Sequence, residues 1–301
     1  MISFLKLIRY KNLLMVLLTM VLTKYALIES FVSPSYLSNF KFVLLTISVL
    51  CITAGGYIIN DIFDIETDKI NKPNKVFIDV TISKSNAWRF YLVFTFWGII
   101  IGKYLSVTLL DIKYSLIFVI CSILLFIYSY FFKRVSLIGN LIISFLISLS
   151  ILLVYEFHYK LALINENFTS LLLQNIIFSY IIFSFFTTLV REIIKDIEDI
   201  NGDLKINAKT LPIVIGRKRA NRVALGFSVL LLLFLIVLIR EFIIEEPVFL
   251  AYSIVFLLIP IGNFIYKLYD AKTKKDYSYL SKLMKLIMFF GILSMLLFKL
   301  I

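Results

Sequence analysis

Two acidic stretches hold the residue types that could do chemistry in this chain. They are Asn60-Asp61-Ile-Phe-Asp64-Ile-Glu66-Thr-Asp68 and Arg191-Glu192-Ile-Ile-Lys195-Asp196-Ile-Glu198-Asp199-Ile-Asn-Gly-Asp203. At about 100° per residue, a helix sets Asp61, Asp64 and Asp68 within roughly 60° of one another, and does the same for Glu192, Asp196, Asp199 and Asp203. Each stretch is then a stripe of carboxylates. Like charges at this spacing repel by about a few tenths of a kcal/mol per exposed pair, and by more once partly buried, so each stripe calls for cations. Magnesium takes hard oxygen ligands, typically one or two carboxylates together with substrate phosphates. Two stripes with an asparagine and interspersed lysines therefore suit a diphosphate held through magnesium. There the metal neutralises the leaving diphosphate and lowers the barrier to breaking a carbon–oxygen bond.

The elements that must carry these stripes are membrane helices. Of 301 residues, 61% are hydrophobic and 17% charged, against about 25% charged in a soluble domain. A span needs about 20 mostly apolar residues, and the sequence offers nine, near 12–28, 42–59, 86–102, 114–132, 137–155, 172–190, 223–239, 248–266 and 283–298. The expected fold is all-α: one integral-membrane domain over 1–301, a bundle of nine transmembrane helices around a central cavity. Its halves fall roughly at 1–135 and 136–301, because an inward span, a carboxylate stripe, a lysine-bearing loop and an outward span occur twice, four helices apart. The first apolar run lacks a small-residue cleavage site, so no cleaved signal peptide is expected.

Basic residues give the orientation, since Lys and Arg in short loops gather on the cytoplasmic side. The N-terminus and the loops after spans two, four, six and eight, with the span ends that adjoin them, hold 24 of the 31 Lys and Arg residues. The expected protein lies in the cell's inner membrane with its N-terminus and both acidic stretches cytoplasmic and its C-terminus outside. The net charge of +12 then reflects topology and membrane lipids, not nucleic acid. Arg217, Lys218 and Arg219 read as a headgroup patch on the same side.

A membrane location makes the organic part of a diphosphate substrate a lipid. An allylic prenyl diphosphate fits, because its departing diphosphate leaves a delocalised carbocation that aromatic faces stabilise; the chain has 29 Phe and 17 Tyr. Cys51 and Cys121 lie in apolar runs without partners at metal or redox spacing. His158, the only histidine, falls in the expected outer loop 156–171, so zinc and histidine acid–base chemistry have no natural candidate. Gly55 and Gly56 in span two are expected to admit close helix approach.

Asn60-Asp61-x-x-Asp64-x-x-x-Asp68 resembles the first signature of the UbiA-type intramembrane prenyltransferase superfamily, and Asp196-x-x-Asp199-x-x-x-Asp203 resembles its second. Arg9-x-x-Asn12 at the start of span one matches as well. A Tyr-x-x-x-Lys element after span four is represented by Tyr128-x-x-x-x-Lys133 or by Tyr130-x-x-x-Arg134. Arg191 to Asp203 followed by Lys209-Thr-Leu-Pro212 is most similar to the branch that makes digeranylgeranylglyceryl phosphate. That branch's Arg-Pro pair appears here as Lys72-Pro73, and a glycine after its last aspartate as Asn207.

The resemblance implies a magnesium-dependent transfer of a polyprenyl group, geranylgeranyl in that branch, from its diphosphate to a hydroxyl of geranylgeranylglyceryl phosphate. Metal ligands would be Asn60, Asp64, Asp68, Asp196, Asp199 and Asp203, with Asp61 a direct or supporting ligand. Asp64, Asp68, Asp199, Asp203 and Lys133 would carry catalysis. Lys72, Lys75, Lys133 and Lys195 would bind phosphate oxygens, Arg9 and Asn12 would position the diphosphate or acceptor, and Tyr128 and Arg134 would contact substrate. Prenylation of an aromatic quinone precursor is the rival within the superfamily. A non-catalytic transporter is the rival outside it, disfavoured because transporters place ionisable residues in broken helices at mid-membrane, whereas these acids sit at span ends.

Overall fold

The computed structural model describes residues 2–32, 35–71, 76–108, 111–164, 171–242 and 246–300. Among them nine helices are long and apolar enough to cross a membrane: α1 (Tyr10–Phe31), α2 (Asn39–Phe63), α3 (Lys84–Thr108), α4 (Ile112–Tyr130), α5 (Ile138–Ala162), α6 (Leu171–Lys205), α7 (Arg217–Glu241), α8 (Pro247–Asp270) and α9 (Lys274–Lys299). A helix satisfies its backbone groups within itself, which a hydrocarbon environment requires. Local chemistry sets several of the starts. Ser38 caps α2, Pro247 opens α8, and Thr273 with Asp276 forms a capping box at α9, satisfying backbone N–H groups that a helix leaves unpaired at its first turn.

Two helices organise the interior. In α2, a Cβ on Gly55 would stand 2.7 Å from the Thr95 hydroxyl of α3, and one on Gly56 would stand 2.9 Å from Leu125 of α4. The glycine pair thus admits a neighbour on each side. In α6, Leu189, Val190, Ile193, Ile194 and Ile197 are buried in an apolar cluster with α7, α8 and α9. A second cluster joins α1, α2 and α5 to the first part of α6.

Connections between successive helices alternate between the two ends of the bundle. At one end, Arg9 before α1 meets Asp61 of α2, Lys133 after α4 meets Asp64, Asn140 of α5 meets Asp196 of α6, and Lys285 of α9 meets Asn12 of α1. At the other end, Thr23 of α1 meets Met295 of α9, and Lys24 is buried against Glu29 and Asn39.

Three elements differ from the sequence-based expectation. α6 does not stop near 190; it runs on to Lys205 and carries the whole second acidic stretch in one helix. The first acidic stretch is not one continuous helix. It breaks at Asp64, and a short helix, Ile65–Asn71, follows. His158 is not in a loop: the helix continues to Ile164, and the imidazole is fully buried with its ring 5.5 Å from that of Tyr36. Apolar residues on both sides, Phe157 and Leu161, are also buried in the core, and their spacing keeps the helix going past Glu156.

Candidate active site

The first stripe is built around the break at Asp64. This residue closes α2 with φ −95° and ψ 0°, a sparsely populated backbone region common at turns and functional sites. Its N–H donates to the Asn60 carbonyl at 3.0 Å, and its own carbonyl accepts from the Asp68 N–H at 2.8 Å. Helical phase therefore survives the break, and the acids keep their spacing.

Two cations from distant elements meet these acids. Arg9 Nη2 donates to Asp61 Oδ1 at 2.6 Å, and its guanidinium lies over the Tyr57 ring, 5.1 Å from the centroid. Arg9 itself stands at φ 50°, ψ 52°, between the short helix Ile2–Leu7 and α1. A non-glycine residue pays about 1–2 kcal/mol there and stays only where its surroundings hold it. Burial works against the Arg9 charge, but Asp61 outweighs it and keeps the guanidinium above its ordinary pKa.

Lys133, in a tight turn over Phe132–Arg134 after α4, donates through Nζ to Asp64 Oδ2. Burial disfavours its charge, yet Asp64, through charge and hydrogen bond, with Asp68 adding, holds the ammonium above the usual lysine value. Lys133 also lies within electrostatic reach of Asp203 on α6, so it stands between the stripes. The same turn leaves the Arg134 side chain exposed, while its carbonyl accepts from the Lys209 N–H at 2.8 Å. Tyr130 is 62% exposed. Tyr128 is half-buried, within electrostatic reach of Asp64, Glu192 and Asp196. Of the two sequence matches to the tyrosine–lysine element, the Tyr128–Lys133 pair faces the acids.

The second stripe occupies one face at the end of α6. Asp196 Oδ2 accepts from Asn140 Nδ2 of α5 at 2.8 Å, and Asp203, 9% exposed, accepts from the Thr210 hydroxyl at 3.4 Å. Lys195 pairs with an acid on its own helix. Its Nζ donates to both Glu192 oxygens at 3.0 and 2.9 Å, and Arg191 Nη1 adds a third bond to Glu192 Oε1 at 3.0 Å. Asn12 accepts from Lys285 Nζ at 2.7 Å. Lys72 and Lys75 lie outside the described residues.

Sequence reasoning missed Asn140, Lys285 and the charge-balancing part of Glu192. The Glu192 signal was readable, since Arg191 and Lys195 flank it one and three residues away. The other two partners come from remote helices, with no local pattern to mark them.

The donor set is one of carboxylates plus the Asn60 amide, all hard oxygens suited to magnesium. Asn60 Oδ1 is buried and accepts no hydrogen bond from the described residues, a costly state for a carbonyl oxygen in the absence of a ligand or cation. Among the described residues, no three His, Cys, Asp or Glu side chains gather as a ready-made metal cage; the two acidic groups face one another across Lys133. These residues fit a divalent cation by chemistry and by the orphaned oxygen.

The UbiA prenyltransferase family matches residues 14–293. The chain belongs to this family. The prenyltransferase is 35% identical over 243 residues to digeranylgeranylglyceryl phosphate synthase of Saccharolobus solfataricus, covering 80% of this chain and 77% of that one. Against the synthase of the same name from Sulfurisphaera tokodaii, it is 32% identical over 219 residues, 72% of this chain and 70% of that one. A solved structure from work on digeranylgeranylglyceryl phosphate synthase in membranes superposes with TM-score 0.66 at 26% identity, covering 99% of this chain and 98% of that one. A UbiA homologue from Archaeoglobus fulgidus bound to GPP and Mg2+ shares the fold, with TM-score 0.61 at 18% identity over 97% of this chain and 99% of that one. The prenyltransferase is thus an integral membrane enzyme with an all-helical fold.

Proposed function

We propose that this prenyltransferase moves a geranylgeranyl group from its diphosphate to the free hydroxyl of geranylgeranylglyceryl phosphate, with magnesium, at the acid-lined end of the bundle. One observation carries the reading: acids from two stretches more than 120 residues apart meet at one end of the bundle with Lys133 between them. Relatives named for this synthase activity support the choice of acceptor, as does the homologue bound to GPP and Mg2+ for the metal and donor class.

Magnesium bound through Asn60, Asp64, Asp68, Asp196, Asp199 and Asp203 would neutralise the diphosphate as the carbon–oxygen bond breaks. Lys133 and Arg9, held at the acids by Asp64 and Asp61, supply positive charge for diphosphate oxygens. Charge aimed at a developing anion in a partly desolvated site accelerates reaction more than the same charge in water. The Tyr128 ring stands beside the acids and is an aromatic surface of the kind that suits an allylic cation, whereas the Tyr57 ring already carries the Arg9 guanidinium. The acceptor oxygen forms the new bond to the allylic carbon and loses its proton to solvent, and diphosphate leaves with the electron pair of the broken carbon–oxygen bond. The acidic end faces the cytoplasm in this reading, in line with the basic residues gathered there.

Diphosphate release by detergent-purified protein tests this, with geranylgeranyl diphosphate, magnesium, and geranylgeranylglyceryl phosphate, 4-hydroxybenzoate or no acceptor. Acceptor-dependent release with the glyceryl phosphate is the expected result. Release with the aromatic acceptor alone would overturn the lipid assignment, and no release with any acceptor would overturn the activity.

A further inference from the structure

Asn71 ends the short helix that follows the first acidic break, and the chemistry above does not use it. The residue is 8% exposed, and α6 engages both ends of its amide. Nδ2 donates to the Asp199 carbonyl at 2.9 Å, and Oδ1 accepts from the Gly202 N–H at 3.0 Å. A Cβ on residue 202 would stand 2.3 Å from Asn71 Nδ2 and 2.7 Å from Oδ1. Only glycine leaves the amide room to lie flat on the helix. Lys274 Nζ of α9 reaches the Asn71 carbonyl at 3.3 Å, so three elements meet at this residue.

Its place in the chain gives the contact its meaning. Asn71 lies one helical turn after Asp68, and its two bonds land on Asp199 and on Gly202, the residue before Asp203. One hydrogen bond would leave the short helix free to pivot; two from a planar amide fix its distance and its direction. We infer that Asn71 is a positioning residue that sets the separation of the two carboxylate stripes and so the fit of the divalent cation and diphosphate between them. This rests on the diphosphate-and-metal reading of the site. Groups that orient metal ligands from behind typically contribute 10- to 100-fold in metal affinity.

The test uses the full chain in detergent, unaltered and as Asn71→Leu and Gly202→Ala, the second disturbing the clamp from its other side should the first fail to fold. Two quantities are read: hydrogen exchange of the Gly202 amide, and binding of manganese(II), a paramagnetic stand-in for magnesium, with inorganic diphosphate. Both variants are expected to exchange faster at the residue-202 amide, each rate taken relative to the intrinsic rate of the glycine or alanine there, and to bind manganese about 10- to 100-fold more weakly. The metal concentration for half-maximal turnover should rise in step, with kcat at saturating metal changing by less than about threefold. Faster exchange with unaltered metal affinity would make Asn71 a staple of the fold only and overturn the proposal, as would unaltered exchange. Absence of manganese binding by the unaltered chain would instead overturn the reading of the site itself.

Discussion

At the residue scale, the acids differ in what holds them, and their substitutions should differ accordingly. Asp64→Ala or Asp199→Ala removes a proposed metal ligand and should lower turnover more than about a hundredfold at saturating magnesium, measured as diphosphate release. Lys133 and Arg134 are neighbours with opposite placements, one on Asp64 and one exposed. Loss of a charge-assisted contact of about 1.5–3 kcal/mol raises the KM for the prenyl diphosphate roughly 10- to 100-fold in Lys133→Ala, while Arg134→Ala should stay within about threefold. Equal effects from the two would remove Lys133 from the site. The types and spacing of the acids were legible in the sequence because helical phase is local. Their partners were not: Asn140 is 56 positions from Asp196, Asn71 is 128 from Asp199, and Arg9 is 52 from Asp61. Nothing near an asparagine in sequence says which helix it will face.

At the element scale, apolar length announced every span, but not where a span stops. α6 outran its apolar run because Ile193, Ile194 and Ile197 keep one face of the acidic stretch buried against α7–α9. A polar stripe on the opposite face does not interrupt a helix packed that way. Asn207 has φ 52°, in the region that asparagine tolerates best after glycine. Asn207→Gly should leave the melting temperature nearly unchanged. Asn207→Val should lower stability by about 1–2 kcal/mol, seen as an earlier thermal transition in detergent. α8 contains a widened π-helical turn at Ile254–Leu258, which holds one residue more than an α-turn accommodates. Deleting the exposed Val255 should close it to an ordinary helix and keep activity. Deleting Leu230 within α7 should not be tolerated, because it rotates the remainder of that helix by about 100°.

At the scale of the whole molecule, the reading joins an acidic end and an orientation, and the two are separable by experiment. With Cys51 and Cys121 replaced by serine, Lys218→Cys and Glu246→Cys should be labelled by a membrane-impermeant thiol reagent from opposite sides, Lys218 from the cytoplasm. The reverse labelling would keep the fold and invert the proposed orientation. Nine helices among the described residues are long and apolar enough to cross, and in this reading α1 starts at the acidic end and α9 finishes at the far end. Two copies of this nine-helix bundle would therefore not be joined in one orientation by a simple soluble tether. A tandem fusion would need a linker with a tenth hydrophobic crossing, or the second copy would insert upside down with its acids on the wrong side of the membrane.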